Sequence, residues 1–382
     1  MLIGVPKETK VHEYRVGLTP ESVNELTARG HRVMVERGAG DGIGAPDADY
    51  RAAGASVAPT ADEVFGEAEL IVKVKEPQAP ERVRLRAGQA LFTYLHLAPD
   101  PEQARELVES GAIAIAYETV TSALGGLPLL APMSQVAGRM AVQVAAHYLE
   151  RPQGGRGLLL SGAGGVPPAR VLVLGAGTAG ANAVKIALGM GADVTVLDRS
   201  PEPLRRLFVE HGSRLKTIPS SPQNIEEQLY RADAVIGAAL VPGALAPKLV
   251  TRKMLAALQP GSVVVDVSID QGGCFETSHA TTHADPVYAV DGILHYCVAN
   301  MPGAVPRTAT YALNYATHPF VMELAERGVL VALAANAHLR NGLNVCRGAV
   351  TRREVAEALG YRYVDPLAAV EAARLAASKT NN

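Results

Sequence analysis

Short apolar runs alternate with longer amphipathic segments along most of the chain. Such alternation is typical of parallel β-sheets covered by helices. In the first third, the apolar runs predict strands at residues 2–5, 32–36, 70–75, 90–96 and 112–117. Thr19 and Pro20 predict the start of a helix between the first two strands, because a hydroxyl group caps a first turn and proline fits it. Gly30 marks the end of that helix.

A second series of apolar runs begins at residue 171 and predicts strands at 171–174, 194–198, 215–218, 234–239, 262–268 and 296–299. A long helical pattern over 132–150 and a Gly/Pro-rich stretch over 152–168 separate the two series. After Pro306 the pattern is mainly helical. We therefore predict an α/β protein with two Rossmann-like, doubly wound domains joined by long helices. The first domain is discontinuous, with residues 1–128 and 307–382, and the second spans residues 129–306.

The composition is that of a globular protein, with 48% hydrophobic and 19% charged residues. A formal net charge of -2 gives no support for binding to nucleic acid or to an anionic membrane surface. Lys7 and Glu8 precede any apolar segment of a secretory signal, and no apolar run approaches the roughly 18 residues of a membrane span. We expect a cytoplasmic protein without nucleic-acid or membrane partners.

Cysteine and histidine show no spacing that is typical of disulfide frameworks or metal sites. Cys274, Cys297 and Cys346 lie far apart in the chain. We expect buried thiols and no metal.

A glycine motif gives the strongest local signal for function. The apolar run 171–174 leads directly into Gly175, Gly177 and Gly180, in the pattern GxGxxG, and a helical segment follows. The first glycine allows a tight turn, the second lets the backbone approach a pyrophosphate, and the third lets helix pack on strand. Two similar glycine runs are interpreted as loops. Pro46 follows the run at 40–45 at once and no later strand ends on an acid at the right distance, whereas the run at 162–165 leads into Pro167 and Pro168, which cannot continue a helix.

The next predicted strand ends on Asp198, 18 residues beyond Gly180. A carboxylate at this point accepts hydrogen bonds from ribose hydroxyls and repels a 2′-phosphate, which favours NAD over NADP. Arg199 beside it is a mild signal in the other direction. With strand, glycine turn, helix and acid in order, we predict a dinucleotide site.

Charged side chains lie at or just after four predicted strands, and ligands of open α/β sheets bind at the carboxyl ends of strands. They are Arg15, Lys75, His96 and Asp270. Each alone is compatible with a structural role, such as a solvated charge, a buried histidine or a turn cap. Together they suit an enzyme that oxidises an amino acid, because guanidinium and ammonium groups hold a carboxylate while imidazole and carboxylate groups transfer protons.

Several longer segments resemble one family, that of alanine dehydrogenases and the NAD-binding domains of proton-pumping transhydrogenases. The resemblance lies in segments 4–8, 13–23, 132–135, 173–198, 266–276 and 297–302, and it extends over nearly the whole chain. Residues 94–98, with His96, are similar to the segment that carries the catalytic histidine of alanine dehydrogenases, which transhydrogenase domains lack. His12 and His279 depart from residues that are common in the family.

The resemblance implies reversible oxidative deamination of L-alanine to pyruvate and ammonium, with NAD as cofactor. It implies that Arg15 and Lys75 bind the substrate and that His96 and Asp270 act as acid/base groups. It also implies a homo-oligomer, commonly a hexamer. Besides the three glycines, the implied NAD contacts are Ser134, Thr178, Ala179, Asp198, Ser220, Ala239, Leu240, Val267, Ser268, Ile269, Val298, Asn300 and Met301.

Two other functions stay open at this point. One is a dehydrogenase for a larger amino acid, such as a saccharopine- or lysine-forming enzyme, since the sequence does not give the size of the pocket. The other is a non-catalytic NAD-binding module of the transhydrogenase type that hands its cofactor to a partner chain. His96 and Lys75 argue against the module, because a handover domain does not need an amino-acid site.

Overall fold

The computed structural model describes residues 1–239 and 245–380, and the chain divides into two compact units. The first unit comprises Met1–Met133 and Gly303–Asn382, and the second comprises Ser134–Pro302. One boundary between them falls within a long helix.

Strands and helices alternate through both units. In the described residues the strands are β1 Leu2–Val5, β2 Arg32–Glu36, β3 Ser56–Ala58, β4 Leu70–Val72, β5 Ala90–Thr93, β6 Ile113–Ala116, β7 Arg170–Leu174, β8 Asp193–Asp198, β9 Leu215–Pro219, β10 Ala234–Gly237, β11 Val263–Asp266, β12 Val287–Val290, β13 Ile293–Tyr296, β14 Leu343–Cys346 and β15 Ala349–Val350. The α-helices of the same residues are α1 Pro20–Ala28, α2 Asp47–Ala52, α3 Ala61–Glu67, α4 Ala79–Arg82, α5 Pro101–Ser110, α6 Ala131–Tyr148, α7 Thr178–Gly189, α8 Pro201–His211, α9 Pro222–Leu229, α10 Arg252–Leu255, α11 Pro306–Arg327, α12 Val329–Ala335, α13 Ala337–Arg340, α14 Arg353–Leu359 and α15 Pro366–Thr380.

The first unit is built on a sheet with the strand order β15-β14-β6-β5-β4-β1-β2-β3. The strands from β6 to β3 pair in parallel, whereas β14 and β15 are antiparallel additions at one edge. One face of the sheet packs against α3 and α5, where Phe65 and Leu107 are buried. The loops after β1, β4 and β5 therefore emerge side by side, at the carboxyl ends of adjacent strands.

The second unit contains a sheet with the order β12-β13-β11-β10-β7-β8-β9, parallel except for β12. Its two faces bury separate apolar clusters. Val173 and Ile236 pack towards α7 on one face, and Leu172 and Val235 pack with Ile225 of α9 on the other. Helices thus cover both faces, which confirms the predicted doubly wound α/β class.

Local sequence explains where several helices begin. The Thr19 side chain accepts a hydrogen bond from the Ser22 N–H at the start of α1, and Asp100 does the same for Gln103 at the start of α5. A proline occupies the first turn of each helix. The three cysteines are buried and unpaired, as predicted.

The predicted strands are correct in outline but several bounds are wrong. The strands β4 and β5 end at Val72 and Thr93, three residues before Lys75 and His96, because glutamate side chains bind the N–H groups that follow. The strand predicted at 296–299 is Ile293–Tyr296 instead, where a buried histidine interrupts the apolar pattern. β14 and β15 lie where mainly helix was predicted, since their short runs give little periodicity. Among the residues that the structure describes, no helix combines the length and the apolar character needed to cross a membrane.

Candidate functional site

The glycine motif of the second unit adopts the conformation that its sequence predicts. β7 ends at Leu174, Gly175 turns the chain with φ +107°, and α7 begins after Gly177. A Cβ atom on Gly175 would lie 2.6 Å from the Ala238 carbonyl oxygen, and one on Gly180 would lie 1.8 Å from the Gly175 oxygen. Gly175 and Gly180 are therefore required by the packing of the protein itself.

Gly177 has a different environment. It is exposed, and a Cβ atom on it would meet no described atom within 4 Å. As the N-cap of α7 it offers no side chain to the first N–H groups of the helix. An exposed helix N-terminus with an open backbone approach is a suitable site for a pyrophosphate. This arrangement fits a dinucleotide.

Asp198 lies at the end of β8, beside the glycine turn. Its Oδ2 accepts a hydrogen bond from the Ala176 N–H at 2.7 Å, and its Oδ1 accepts one from the Ser200 N–H at 2.8 Å. The Ser220 N–H donates to the Asp198 carbonyl oxygen at 2.9 Å. These bonds hold the carboxylate at the carboxyl edge of the sheet, where the sequence predicts a ribose contact.

Other predicted cofactor residues lie at the same edge of the second sheet. The Ser268 hydroxyl donates to the Ala239 carbonyl oxygen at 2.7 Å, which joins the loops after β10 and β11. In α6, a Cβ atom on Gly138 would lie 2.0 Å from the Ala179 oxygen, so Ser134, one turn earlier, lies near the start of α7. Thr178 opens α7, Val267 and Ile269 follow β11, and Val298, Asn300 and Met301 follow β13. Leu240 lies outside the described residues.

In the first unit, Arg15 is buried to 2% exposure in the loop after β1. The Glu13 carboxylate accepts hydrogen bonds from its Nε at 2.6 Å and its Nη2 at 2.5 Å, and Nη1 lies 2.9 Å from the Met133 sulfur. Burial disfavours the charge, but Glu13 more than offsets it, so that the pKa of Arg15 is raised. The guanidinium is thus a fixed, permanently charged group.

Lys75 lies three residues beyond β4 and is 9% exposed. Thr93 donates a hydrogen bond to its carbonyl oxygen, and the Glu8 carboxylate accepts from its N–H at 3.4 Å. The adjacent Glu76 is a largely buried acid. Burial raises its pKa, but Lys75 and Lys10 outweigh this effect and lower it. The ammonium group of Lys75 therefore lies in a partly buried, charged environment.

His96 adopts a left-handed backbone conformation, with φ +50°. The Glu118 carboxylate accepts hydrogen bonds from the N–H groups of Leu95 and His96, the latter at 2.7 Å, and lies 3.9 Å from the His96 Nδ1. The ring stacks on Tyr94 with centroids 5.9 Å apart, and its side chain is 46% exposed. The imidazole is therefore accessible to solvent and is held against the Tyr94 ring on a strained backbone.

Arg15, Lys75 and His96 share one edge of the first sheet, because they follow β1, β4 and β5, which are adjacent and parallel. Tyr94 lies within electrostatic range of Arg15 and stacks on His96. Asp270 belongs to the second unit, where it is exposed in a short 3-10 helix, Val267–Gln271. The turn after it is closed by the carbonyl groups of Ile269 and Ser268.

Sequence reasoning missed four charged residues that hold these groups in place. They are Glu8, Glu13, Lys73 and Glu118. A signal existed for Lys73, because a lysine within the apolar run 70–74 requires a buried partner. Nothing in the sequence identifies Glu8 as that partner.

His279, which departs from the family pattern, stacks on Tyr288 with ring centroids 3.6 Å apart.

Two domain models of one family match most of this chain. Residues 4–137 match the model of the alanine dehydrogenase/PNT N-terminal domain, and residues 141–353 match that of the C-terminal domain. An alanine dehydrogenase of Halomonas elongata is 58% identical over 96% of this chain and 98% of its own length.

Solved structures give the same relation. An L-alanine dehydrogenase is similar with a TM-score of 0.91 and 48% identity, covering 94% of this chain and 99% of that one. A transhydrogenase from Sinorhizobium meliloti has a TM-score of 0.80 and 29% identity, with coverage of 92% and 100%. The two domain models and the high identity to full-length relatives show that this chain belongs to the alanine dehydrogenase/PNT family.

Proposed function

We propose that this protein is an NAD-dependent alanine dehydrogenase. It converts L-alanine, water and NAD⁺ reversibly to pyruvate, ammonium, NADH and a proton. One observation carries the proposal: Arg15, Lys75 and His96 share a sheet edge in a chain that is 58% identical to a protein named alanine dehydrogenase. The relation to a transhydrogenase is weaker, at 29% identity.

The second unit supplies the cofactor site. Gly175, Gly177 and the N-terminus of α7 hold the pyrophosphate, and Asp198 accepts hydrogen bonds from the adenosine ribose. The carboxylate of Asp198 also disfavours a 2′-phosphate, so NAD is preferred to NADP. NAD bound at this site would supply the hydride acceptor for the oxidation of alanine at its α-carbon.

The first unit supplies the substrate site. Arg15 and Lys75 bind the substrate carboxylate, and Glu13 fixes the plane of the Arg15 guanidinium through two hydrogen bonds. Lys75 also favours negative charge on the carbonyl oxygen of pyruvate. His96, accessible and oriented by Tyr94, moves protons to and from the water and ammonia that exchange at the α-carbon, and Asp270 is assigned the matching acid/base role.

One assay tests this proposal. Purified protein is incubated with NADH, pyruvate and ammonium, and NADH oxidation is followed by absorbance. We expect turnover with NADH and much slower turnover with NADPH. Oxaloacetate and 2-oxoglutarate replace pyruvate to test for a larger substrate. Tight NADH binding without turnover would instead identify a handover module and reject the enzyme.

The family resemblance also supports a cytoplasmic homo-oligomer, and we propose a hexamer. Light scattering on the eluate of a sizing column measures the molar mass directly. With a chain of 40.0 kDa, a monomeric or dimeric mass would exclude this assembly.

A further inference from the structure

The first unit contains a buried charged triad of Lys73, Glu8 and Glu81. The Lys73 side chain is 0% exposed, and each glutamate side chain is 2% exposed. The Nζ atom of Lys73 lies 3.1 Å from Glu8 Oε2 and 2.7 Å from Glu81 Oε1. Buried charges of this kind are costly unless every oxygen has a partner, so the remaining contacts of the two carboxylates are informative.

The two glutamates differ in the backbone that they bind. The other oxygen of Glu81 accepts the Gln78 N–H at 2.7 Å and so caps the short helix α4. The other oxygen of Glu8 accepts the Val74 N–H at 2.7 Å and the Lys75 N–H at 3.4 Å. Glu8 therefore binds the backbone of the segment that carries Lys75, whereas Glu81 contacts this segment only through the side chain of Lys73.

Glu8 also belongs to the loop that carries Arg15. Burial raises the pKa of Glu8 most, Lys73 opposes this effect, and the nearby Glu13 carboxylate adds to it. Arg15 in turn lies within electrostatic range of Glu8. One buried carboxylate thus contacts the backbone beside one proposed substrate cation and lies in the loop of the other.

We infer that Glu8 is a positioning residue for substrate binding, which fixes the Lys75 segment relative to the loop of Arg15. This inference rests on the proposed function. Both cations can hold a carboxylate of about 2 Å width only if the distance between them is maintained. Misplacement of a binding group by about 1 Å can lower catalytic efficiency by up to about a hundredfold. The role of Glu8 is to maintain that separation.

Glu8→Gln and Glu81→Gln are matched variants that test this inference. Each replaces one carboxylate of the same lysine by an amide of the same shape, and each leaves the other carboxylate on Lys73. We expect Glu8→Gln to raise the KM for pyruvate between about tenfold and a hundredfold. We expect Glu81→Gln to leave this KM within about twofold of the wild-type value, because its backbone contact is with Gln78 at the start of α4 and not with the Lys75 segment.

Further measurements separate positioning from loss of stability. Melting temperatures should fall by similar amounts in both variants, and the Kd for NADH should be unchanged in both, since the proposed cofactor residues belong to the second unit. If Glu8→Gln does not fold, Glu8→Asp replaces it. The aspartate retains the charge beside Lys73 but is too short to reach both Nζ and the Val74 N–H, so we expect the pyruvate KM to rise about threefold or more.

A normal pyruvate KM in the Glu8 variants, or an equal rise of this KM in Glu81→Gln, would overturn the inference. If the wild-type protein turns over pyruvate and ammonium, the proposed function stands in either case. A wild-type protein that is inactive with pyruvate and ammonium would overturn both. Selective loss of pyruvate affinity in the Glu8 variants supports the positioning role.

Discussion

Gly177→Ala separates the demands of the cofactor from those of the fold. Gly177 has φ −68°, which suits any L-residue, and a Cβ atom on it meets no described atom within 4 Å. Replacement of glycine by alanine at an N-cap costs less than about 1 kcal/mol. For a protein of this size, that cost lowers the melting temperature by no more than about 4 °C.

The bound cofactor imposes a different requirement. The second glycine of the motif lets the backbone approach the pyrophosphate, and a methyl group there separates the two. Overpacking by one methyl group costs about 1–3 kcal/mol, which corresponds to a Kd for NADH that is about 5 to 150 times higher. We therefore expect a variant that folds normally but binds NADH weakly.

Fluorescence titration measures the Kd for NADH, and thermal unfolding with and without NADH checks the result through the stabilisation that the ligand confers. Gly189→Ala is the matched control, because Gly189 lies at the other end of α7 and a Cβ atom on it also has open space. Wild-type affinity in Gly177→Ala, or an equal loss in Gly189→Ala, would refute the assignment of this backbone to the pyrophosphate.

Three further predictions concern other parts of the chain. Gly180→Ala should lower both the melting temperature and the NADH affinity. The new Cβ atom would lie 1.8 Å from the Gly175 oxygen, so α7 must move by about 1 Å or more to relieve that contact. An unchanged melting temperature would contradict this packing. His96→Ala should reduce turnover at least about a hundredfold with NADH affinity unchanged, and a near-normal rate would remove His96 from the chemistry. Burial lowers the pKa of His295 below its ordinary value. The unfolded chain therefore binds a proton at this histidine at about pH 6.5, where the folded chain does not. As a result, the free energy of unfolding falls as the pH drops below that value. Denaturant melts between pH 7.5 and 5 should show this fall, and it should be smaller in His295→Gln.

The parts of the fold that were predicted correctly depend on local signals. The strand β7, the glycine turn and α7 are encoded within residues 170–189, and Thr19 with Pro20 begins α1 as expected. The doubly wound class also follows from alternation along the chain, because a helix follows the strand before it through most of both units. Such signals need no knowledge of distant residues.

The ends of β4 and β5 depend instead on distant side chains. Glu8 binds the N–H of Val74, which is 66 residues away, and Glu118 binds that of His96, 22 residues away. In the sequence, the apolar runs continue past both strand ends, so periodicity alone extends the strands to Lys75 and His96. The sequence therefore predicted which residues follow the strands, but not the carboxylates that end them.

The two units achieve recognition by different physical means, and this difference determines how substitutions act. In the second unit the proposed cofactor contacts are mostly main-chain groups around Gly175 and Gly177, so added bulk is the damaging change. In the first unit the proposed substrate contacts are side chains whose positions depend on carboxylates: Glu13 binds the guanidinium of Arg15, whereas Glu8 binds the backbone N–H of Lys75. Neutralisation of Glu13 disrupts a buried ion pair with Arg15, and the loss of one member of such a pair costs several kcal/mol. Neutral replacements of the same shape should therefore do more damage around Arg15 and Lys75 than around the glycine turn, where volume rather than charge is decisive.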